Sequence, residues 1–156
     1  MTPIRDNPGV IAPPPLIFLG FLALGILLDV ATDLGTRIPL WFRVAAAILL
    51  AWASIKLILD CMRRFRKAGT RVEPWQPSTA LVADGPYGRS RNPIYVAMAL
   101  GYLAIAFAFN SIFALLLLPG AIAVVHYGVI LREERYLEAK FGDPYRRYKA
   151  QVRRWL

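Results

Sequence analysis

Four long apolar runs constrain this chain more than any other feature of its sequence. They are residues 16–31, 40–59, 94–109 and 112–131. A transmembrane helix needs about 20 apolar residues, which the second and fourth runs supply and the other two approach. The chain is also 57% hydrophobic with a mean hydropathy of +0.45, too apolar for an ordinary soluble domain. The sequence therefore predicts an all-α polytopic membrane helix bundle with about four transmembrane helices.

The 19 lysines and arginines flank these runs and predict how the chain is oriented. If the N-terminus is cytoplasmic, 16 of them lie on that side, Lys56 lies within the second run, and only Arg37 and Arg43 lie opposite. Basic loops remain cytoplasmic, so we expect an integral protein of the bacterial inner membrane with both termini in the cytoplasm. The charges suit anionic lipid headgroups. Without a nucleic-acid-binding motif, membrane lipids and not nucleic acids are the expected partners.

The segment before the third run combines a long loop with a helix start. Residues 68–91 are rich in proline and glycine, and long ordered loops are usually functional. Asn92 is a good helix N-cap and Pro93 suits the first helical position, so a helix is predicted to begin at Pro93. Free N–H groups at such a terminus can receive a carboxylate or a phosphate.

Small residues predict how the third run packs. Ala97, Gly101, Ala104 and Ala108 recur at spacings of four, three and four residues. Such a stripe lets a neighbouring helix approach closely. A tight turn predicted at residues 110–111 then makes the third and fourth runs an antiparallel hairpin.

The chain after the fourth run is polar and amphipathic. Gly142 is typical of a helix end, and Asp143 with Pro144 of a new start, so two C-terminal helices are predicted. Apolar side chains recur there every three or four residues, at Leu137, Phe141, Tyr145, Tyr148, Val152 and Trp155. This pattern predicts an amphipathic tail on the membrane surface. We expect residues 1–156 to form one domain, with a two-span hairpin at 16–67 followed by the loop, a second hairpin and the tail at 68–156.

His126 and Glu133 are the candidate chemical groups beside the last span. They are seven residues apart, which places them on one face of a continuous helix. Glu133 can accept hydrogen bonds from ribose hydroxyls or an amino group, although on its own a solvated Glu and Arg cluster is the simpler explanation. His126 can act as a base, and a histidine hydrogen-bonded within the bundle is an equal alternative. A single cysteine, Cys61, and a single histidine exclude an internal disulfide and a zinc site built from them, so no metal is expected.

Several short motifs in a fixed order resemble the isoprenylcysteine carboxyl methyltransferase and phospholipid methyltransferase superfamily. They are Gly85-Pro86-Tyr87, Arg91-Asn92-Pro93-Ile94-Tyr95, Glu133-Glu134 before Leu137, and Phe141-Gly142-Asp143-Pro144-Tyr145 with Tyr148. The similarity extends over residues 69–155, more than half of the chain. Each motif is weak alone, and their ordered combination is specific.

The resemblance implies an integral membrane methyltransferase that uses S-adenosylmethionine at the cytosolic mouth of its last helices. By matching positions, it implies cofactor contacts at Leu81, Val82, Tyr87, Asn92, Pro93, Ile94, Tyr95 and Glu133. It also implies a lipid-like or membrane-partitioning methyl acceptor that enters laterally from the bilayer. For a neutral amine acceptor, His126 or Glu133 is the candidate group for deprotonation or orientation.

Two positions depart from the isoprenylcysteine branch of this superfamily. Asn92 stands where that branch carries histidine, and in this respect it is similar to many bacterial relatives. The isoprenylcysteine branch carries an arginine that contacts the prenylcysteine carboxylate, and the matching position in this chain falls near Val129. A prenylated protein is therefore not the expected acceptor. Arg132, one helical turn further along, is the candidate acceptor-binding residue.

A noncatalytic membrane protein is the alternative function. Its basic loop and tail would bind anionic lipid or a protein partner, and the composition and topology suit it equally well. The Gly-Pro-Tyr, Arg-Asn-Pro-x-Tyr and Glu-Glu elements at one membrane boundary favour the enzyme, because an anchor does not require them. The sequence leaves open which atom is methylated and how many copies of the chain assemble.

Overall fold

The computed structural model of this protein describes residues 7–73 and 75–156. Its α-helices are α1 (Pro14–Thr32), α2 (Leu40–Lys67), α3 (Pro93–Ala108), α4 (Ile112–Val125), α5 (Leu131–Phe141) and α6 (Asp143–Gln151). A 3₁₀ turn at Gly85–Gly88 precedes α3, and a π-helical turn at His126–Ile130 joins α4 to α5 without a break. These residues contain no β-strand, so the all-α prediction is confirmed. Arg5, which the charge count uses, and Pro74 of the loop lie outside the described residues.

Three of the helical segments are long and apolar enough to cross a membrane. They are α1, α2 and the continuous rod of α4, the π turn and α5, which spans Ile112–Phe141. α3 is also apolar and has 16 residues, which makes it about 24 Å long. The chain is therefore an integral membrane protein with four apolar helices. α2 differs most from its predicted bounds, because it continues through the basic residues after Leu59 and ends at Lys67.

The outer face of α2 is covered with exposed apolar side chains. They include Trp41, Ile48, Leu49, Trp52 and Ile55. In water a patch of this size would promote aggregation. In a bilayer it is the surface that contacts lipid tails.

The helices pack in two long pairs, α2 against α3 and α1 against α4. Ser54 of α2 donates a hydrogen bond from its hydroxyl to the carbonyl oxygen of Ala97 at 2.7 Å. A Cβ at Gly101 would lie 3.1 Å from the same hydroxyl oxygen, so the small-residue stripe of α3 faces α2. The turn predicted at residues 110–111 is present between α3 and α4. However, α3 packs mainly on α2 and α4 packs mainly on α1, and the two helices contact each other less.

α1 and α4 cross at close range. A Cβ at Gly25 would lie 2.5 Å from backbone atoms of Ala114, so the crossing requires glycine. Near it, the hydroxyl of Tyr102 donates to the carbonyl oxygen of Ala114 at 2.8 Å and joins α3 to the same point. The central core of the bundle surrounds this contact.

The buried carboxylate of Asp29 lies at the end of the bundle where α3 turns into α4. Asp29 of α1 accepts hydrogen bonds from the hydroxyl of Ser111 and from the backbone N–H of Phe113, the latter at 3.4 Å. The Ser111 hydroxyl oxygen in turn accepts from the backbone N–H of Ala114 at 3.1 Å. These bonds satisfy N–H groups at the start of α4 that no helical carbonyl can reach.

The C-terminal helix folds back onto the bundle at its other end. Tyr145 and Tyr148 are buried, and the Tyr148 hydroxyl donates to the carbonyl oxygen of Tyr87 at 2.8 Å. The apolar side chains of Tyr145 and Tyr148 in the predicted tail therefore pack on protein, and the placement of the tail on the membrane surface stays a prediction. Gly142 ends α5 with a positive φ of 60°, as predicted, while Asp143 is already the first residue of α6.

Candidate functional site

A cavity of about 300 Å³ lies between the start of α3, the start of α5 and residues 71–82 of the long loop. Of the eight residues predicted to contact a cofactor, seven line it. They are Leu81, Val82, Tyr87, Asn92, Ile94, Tyr95 and Glu133. The eighth, Pro93, is buried at the first position of α3. The structure brings these residues together, and their contact with a cofactor remains a prediction.

Tyr95 and Glu133 form the central polar contact of the cavity. The Tyr95 hydroxyl donates a hydrogen bond to Oε1 of Glu133 at 2.8 Å. Tyr95 is buried in the first turn of α3, and Glu133 is half-buried in the first turn of α5. The bond joins two helices and fixes a carboxylate at the cavity wall.

The N-terminus of α3 borders the cavity, and its first turn has no side-chain cap. The side-chain Nδ2 of Asn92 donates instead to the carbonyl oxygen of Arg154 at 2.8 Å. Pro93 has no N–H, and the N–H of Tyr95 donates to the carbonyl oxygen of Asn92 at 3.1 Å. Within the first turn, the N–H of Ile94 and the positive end of the helix dipole are therefore available to an anionic group. Asn92 begins the helix as predicted, but its side chain serves the C-terminus.

Tyr87, in the 3₁₀ turn, also lines the cavity. Gly85 opens this turn with a positive φ of 60°, which glycine adopts without strain. The Tyr87 ring packs edge-on against Phe65 of α2, with centroids 5.5 Å apart. Burial is the main cause that raises the pKa of Tyr87 well above its usual range, so the hydroxyl stays protonated.

Glu134 is a buried ion-pair residue, which overturns the solvated cluster considered from the sequence. Its exposed fraction is 6%. Arg154 donates from Nε and Nη2 to the two carboxylate oxygens of Glu134 at 2.8 and 2.9 Å. Nη2 of Arg91 lies 3.1 Å from Oε1 of the same carboxylate. The hydrogen bonds to Glu134 raise the pKa of Arg154 above its usual range, so this arginine stays charged.

His126 is predicted at the site, but it is not among the residues that line the cavity. The π-helical turn lies between it and Glu133, so the seven-residue spacing does not keep the two side chains on one face. Nδ1 of His126 accepts a hydrogen bond from Nε1 of Trp155 at 3.2 Å. The two rings are stacked with centroids 6.3 Å apart. His126 therefore holds the C-terminus of the chain.

Arg132 also lies outside the lining of the cavity. Its Nη1 donates to the backbone carbonyl oxygen of Gly9 at 2.9 Å. The backbone N–H of Ile11 donates to the carbonyl of Gly128 at 3.3 Å nearby. Pro8, next to Gly9, borders the cavity, so Arg132 contacts a segment that forms part of the cavity wall, and its contact with an acceptor stays a prediction.

Arg154 is the contributor that the sequence analysis missed. Its neighbours in the sequence, Arg153 and Trp155, gave the same basic and amphipathic signal as the rest of the tail. The only available hint was the pair of tyrosines at 145 and 148 at helical spacing, which placed an apolar face on α6. That face was assigned to the membrane and not to the site.

The sequence profile of the phospholipid methyltransferase family matches residues 42–144. This chain belongs to the phospholipid methyltransferase family. The matched segment contains α3, the loop before it and the Glu133–Glu134 pair, which together supply most of the cavity. The family assignment indicates a membrane methyltransferase, in agreement with the four apolar helices among the described residues.

Two curated proteins are similar to parts of this chain. A Haemophilus influenzae protein described as uncharacterized is 66% identical over 35 residues, which are 22% of this chain and 56% of the relative. The cobalt-zinc-cadmium resistance protein CzcN of Cupriavidus metallidurans is 34% identical over 66 residues, which are 42% of this chain and 31% of the relative. The matches thus span about half or less of each relative. No solved structure matches the chain.

Proposed function

We propose that this protein transfers a methyl group from S-adenosylmethionine to a lipid-like or membrane-partitioning acceptor. The observation that carries the proposal is the hydrogen-bonded pair of Tyr95 and Glu133 in a cavity at the start of α3, in a chain of this family. The cofactor enters from the cytosol and the acceptor laterally from the bilayer, with both termini on the cytosolic side of the bacterial inner membrane. A noncatalytic lipid-binding protein would not need these motif residues to converge on a cavity.

The polar groups of the cavity fit the cofactor that the family implies. The carboxylate of Glu133 can accept hydrogen bonds from ribose hydroxyls or from an amino group. The N–H of Ile94, in the first turn of α3, can donate to a carboxylate. The rings of Tyr87 and Tyr95 can lie against a cationic sulfonium. Leu81 and Val82 close the apolar wall on the loop side.

The protein's task in this reaction is alignment. S-adenosylmethionine supplies a methyl group that its positively charged sulfur already activates. The residues of the chain therefore need to orient the reactants and exclude water, and no covalent bond to the protein is needed. Glu133 is the group that can orient an amine acceptor or take its proton. His126 is not assigned this role, because its Nδ1 accepts the hydrogen bond of Trp155.

Binding and methyl transfer test this proposal together. The purified protein in lipid nanodiscs is titrated calorimetrically with S-adenosylmethionine and with S-adenosylhomocysteine, and the same preparation is incubated with radiolabelled cofactor and membrane extract. We expect both nucleosides to bind and the label to appear in the lipid fraction. A folded protein that binds neither nucleoside contradicts the proposal. Label in a water-soluble product would retain the cofactor and overturn the acceptor class.

A further inference from the structure

Residues 152–155, which we call the C-terminal strap, cross the start of α3. The backbone N–H of Arg91 donates to the carbonyl oxygen of Arg153 at 2.8 Å, and Ser90 forms an isolated parallel β-bridge with Arg153. The next carbonyl, that of Arg154, accepts the hydrogen bond from Asn92. The strap therefore holds the backbone that leads into α3 from outside the cavity.

The Arg154 side chain continues this contact toward the cavity. Its guanidinium binds Glu134 through two hydrogen bonds, and Glu134 also contacts Nη2 of Arg91. The side chains of Arg91 and Glu134 are each 8% exposed. Nε and Nη1 of Arg91 are buried and have no hydrogen-bond partner among the described residues. Glu134 is thus the group that fixes the Arg91 guanidinium, and Arg154 is the group that fixes Glu134.

The position of these three residues relative to the cavity gives each a different role. Arg91 and Glu134 line the cavity, and Arg154 does not. A planar guanidinium that binds a carboxylate through two parallel hydrogen bonds fixes both its distance and its orientation. If this partner is lost, Glu134 becomes a buried carboxylate held only by Arg91, next in sequence to the carboxylate of Glu133. The side chains of Arg91 and Glu134 would then be free to reorient.

We propose that Arg154 is a positioning residue for the cofactor cavity, acting through Glu134 and Arg91. The inference rests on the proposed function, since it concerns how the cavity holds S-adenosylmethionine. On this inference, the C-terminal strap contributes to the site through Arg154, although Arg154 does not line the cavity. Trp155 fixes the far end of the strap through its hydrogen bond to His126, which gives the lone histidine a role in the same arrangement.

The test compares Arg154→Gln with Arg147→Gln in full-length protein in nanodiscs. Arg147 carries the same charge on the exposed face of α6. The dissociation constant of S-adenosylhomocysteine is measured by calorimetry and the unfolding temperature is recorded for each variant. We expect Arg154→Gln to weaken binding by about tenfold or more, because a buried charge loses its bidentate partner. Arg147→Gln should bind like the unaltered protein.

Two further variants separate positioning from general stability. Arg154→Lys keeps the charge but cannot bind bidentately, so its affinity should fall between those of the unaltered protein and Arg154→Gln. Glu134→Gln and Arg154→Gln act through one contact, so the double variant should bind no more weakly than the weaker single variant. If Arg154→Gln does not fold, Arg154→Lys carries the comparison with Arg147→Gln.

The outcomes distinguish this inference from the proposed function. An unaltered protein that does not bind the nucleoside overturns the proposed function and the inference with it. Binding by the unaltered protein with equal affinities for Arg154→Gln and Arg147→Gln overturns the inference alone. Losses of affinity at Glu134 and Arg154 that add fully in the double variant also overturn it, because the two residues would then act separately.

Discussion

The two ends of the bundle each hold a carboxylate beside a helix N-terminus and use it differently. At one end, Asp29 accepts hydrogen bonds from Ser111 and Phe113, both at the start of α4. At the other end, Glu133 accepts a hydrogen bond from Tyr95 and lines the cavity in front of α3. The bonds of Asp29 close within the protein, whereas Glu133 faces space that a ligand can fill.

This difference separates stability from binding. A carboxylate that caps a helix contributes to the free energy of unfolding. A carboxylate that another side chain holds at a cavity wall is available to a bound molecule. Changes at the Asp29 end should therefore alter unfolding and leave ligand affinity unchanged, and changes at the Glu133 end should do the reverse.

The largest expected effect is that of Gly25→Ala, near the Asp29 end. The added Cβ would lie 2.5 Å from the backbone of Ala114, so the α1–α4 crossing must open. We expect a loss of roughly 3 kcal/mol in the free energy of unfolding, measured by thermal or denaturant unfolding in micelles. Gly20→Ala is the control, because a Cβ there meets nothing within 4 Å. Equal stability of the two variants would mean that α1 and α4 can separate enough to accommodate the added methyl group without cost.

Asp29→Ala should have the next largest effect and tests the closed end directly. It leaves the Ser111 hydroxyl and the Phe113 N–H without their acceptor, which should cost about 2 to 3 kcal/mol of stability. The affinity of the folded fraction for S-adenosylhomocysteine should not change. Asp33→Asn is the control, since Asp33 is exposed at the end of the same helix and asparagine tolerates its positive φ of 50°. A selective loss of ligand affinity in Asp29→Ala would break the division between the two ends.

Glu133→Gln should show the opposite result. The amide keeps the shape of the side chain but removes its charge, and losing a charged hydrogen-bond partner costs about 1.5 to 3 kcal/mol, or roughly tenfold or more in affinity. Calorimetry with S-adenosylhomocysteine measures this. Glu138→Gln is the control, because Glu138 forms a surface pair with Lys149 at 3.0 Å. Identical dissociation constants for the two variants would remove Glu133 from the cofactor site.

Tyr95→Phe should have the smallest effect. It deletes only the hydroxyl that orients Glu133 and leaves the carboxylate in place, so we expect a loss of about 1 kcal/mol, or roughly a fivefold change in affinity. Tyr127→Phe is the matched control, since Tyr127 is 70% exposed. Combined with Glu133→Gln, the Tyr95 change should add little, because both alter one contact. Full additivity would show that Tyr95 contacts the ligand independently.

Much of the fold could be predicted because its signals are local. Pro93 begins α3 and Gly142 ends α5, since each position needs only what its own backbone can do. The apolar runs set the positions of the four helices in the same way. α2 extends beyond its predicted end because the arginines and lysine of its last turns are good helix formers. Their positive charges are also favourable at a helix C-terminus.

The parts of the site that depend on distant pairs could not be predicted. Glu134 is 20 residues from Arg154, and nothing in a single sequence selects that arginine from the others in the tail. The spacing argument for His126 and Glu133 assumed an uninterrupted α-helix, and no residue in His126–Ile130 marks a π turn. By contrast, Asn92, Ile94 and Tyr95 line one cavity as neighbours in the chain, so the motif alone could place them together.

The length of the continuous rod Ile112–Phe141 determines the depth at which Glu133 lies in a bilayer. Its 30 residues span about 45 Å, longer than the roughly 30 Å of hydrocarbon in a bilayer. Glu133 lies about 32 Å from the start of the rod at 1.5 Å per residue, so it emerges where lipid tails meet headgroups. A longer acyl chain would draw this carboxylate into hydrocarbon, and a shorter one would lift it into water. Lipid chain length should therefore tune the proposed methyl transfer even when cofactor and acceptor concentrations are constant.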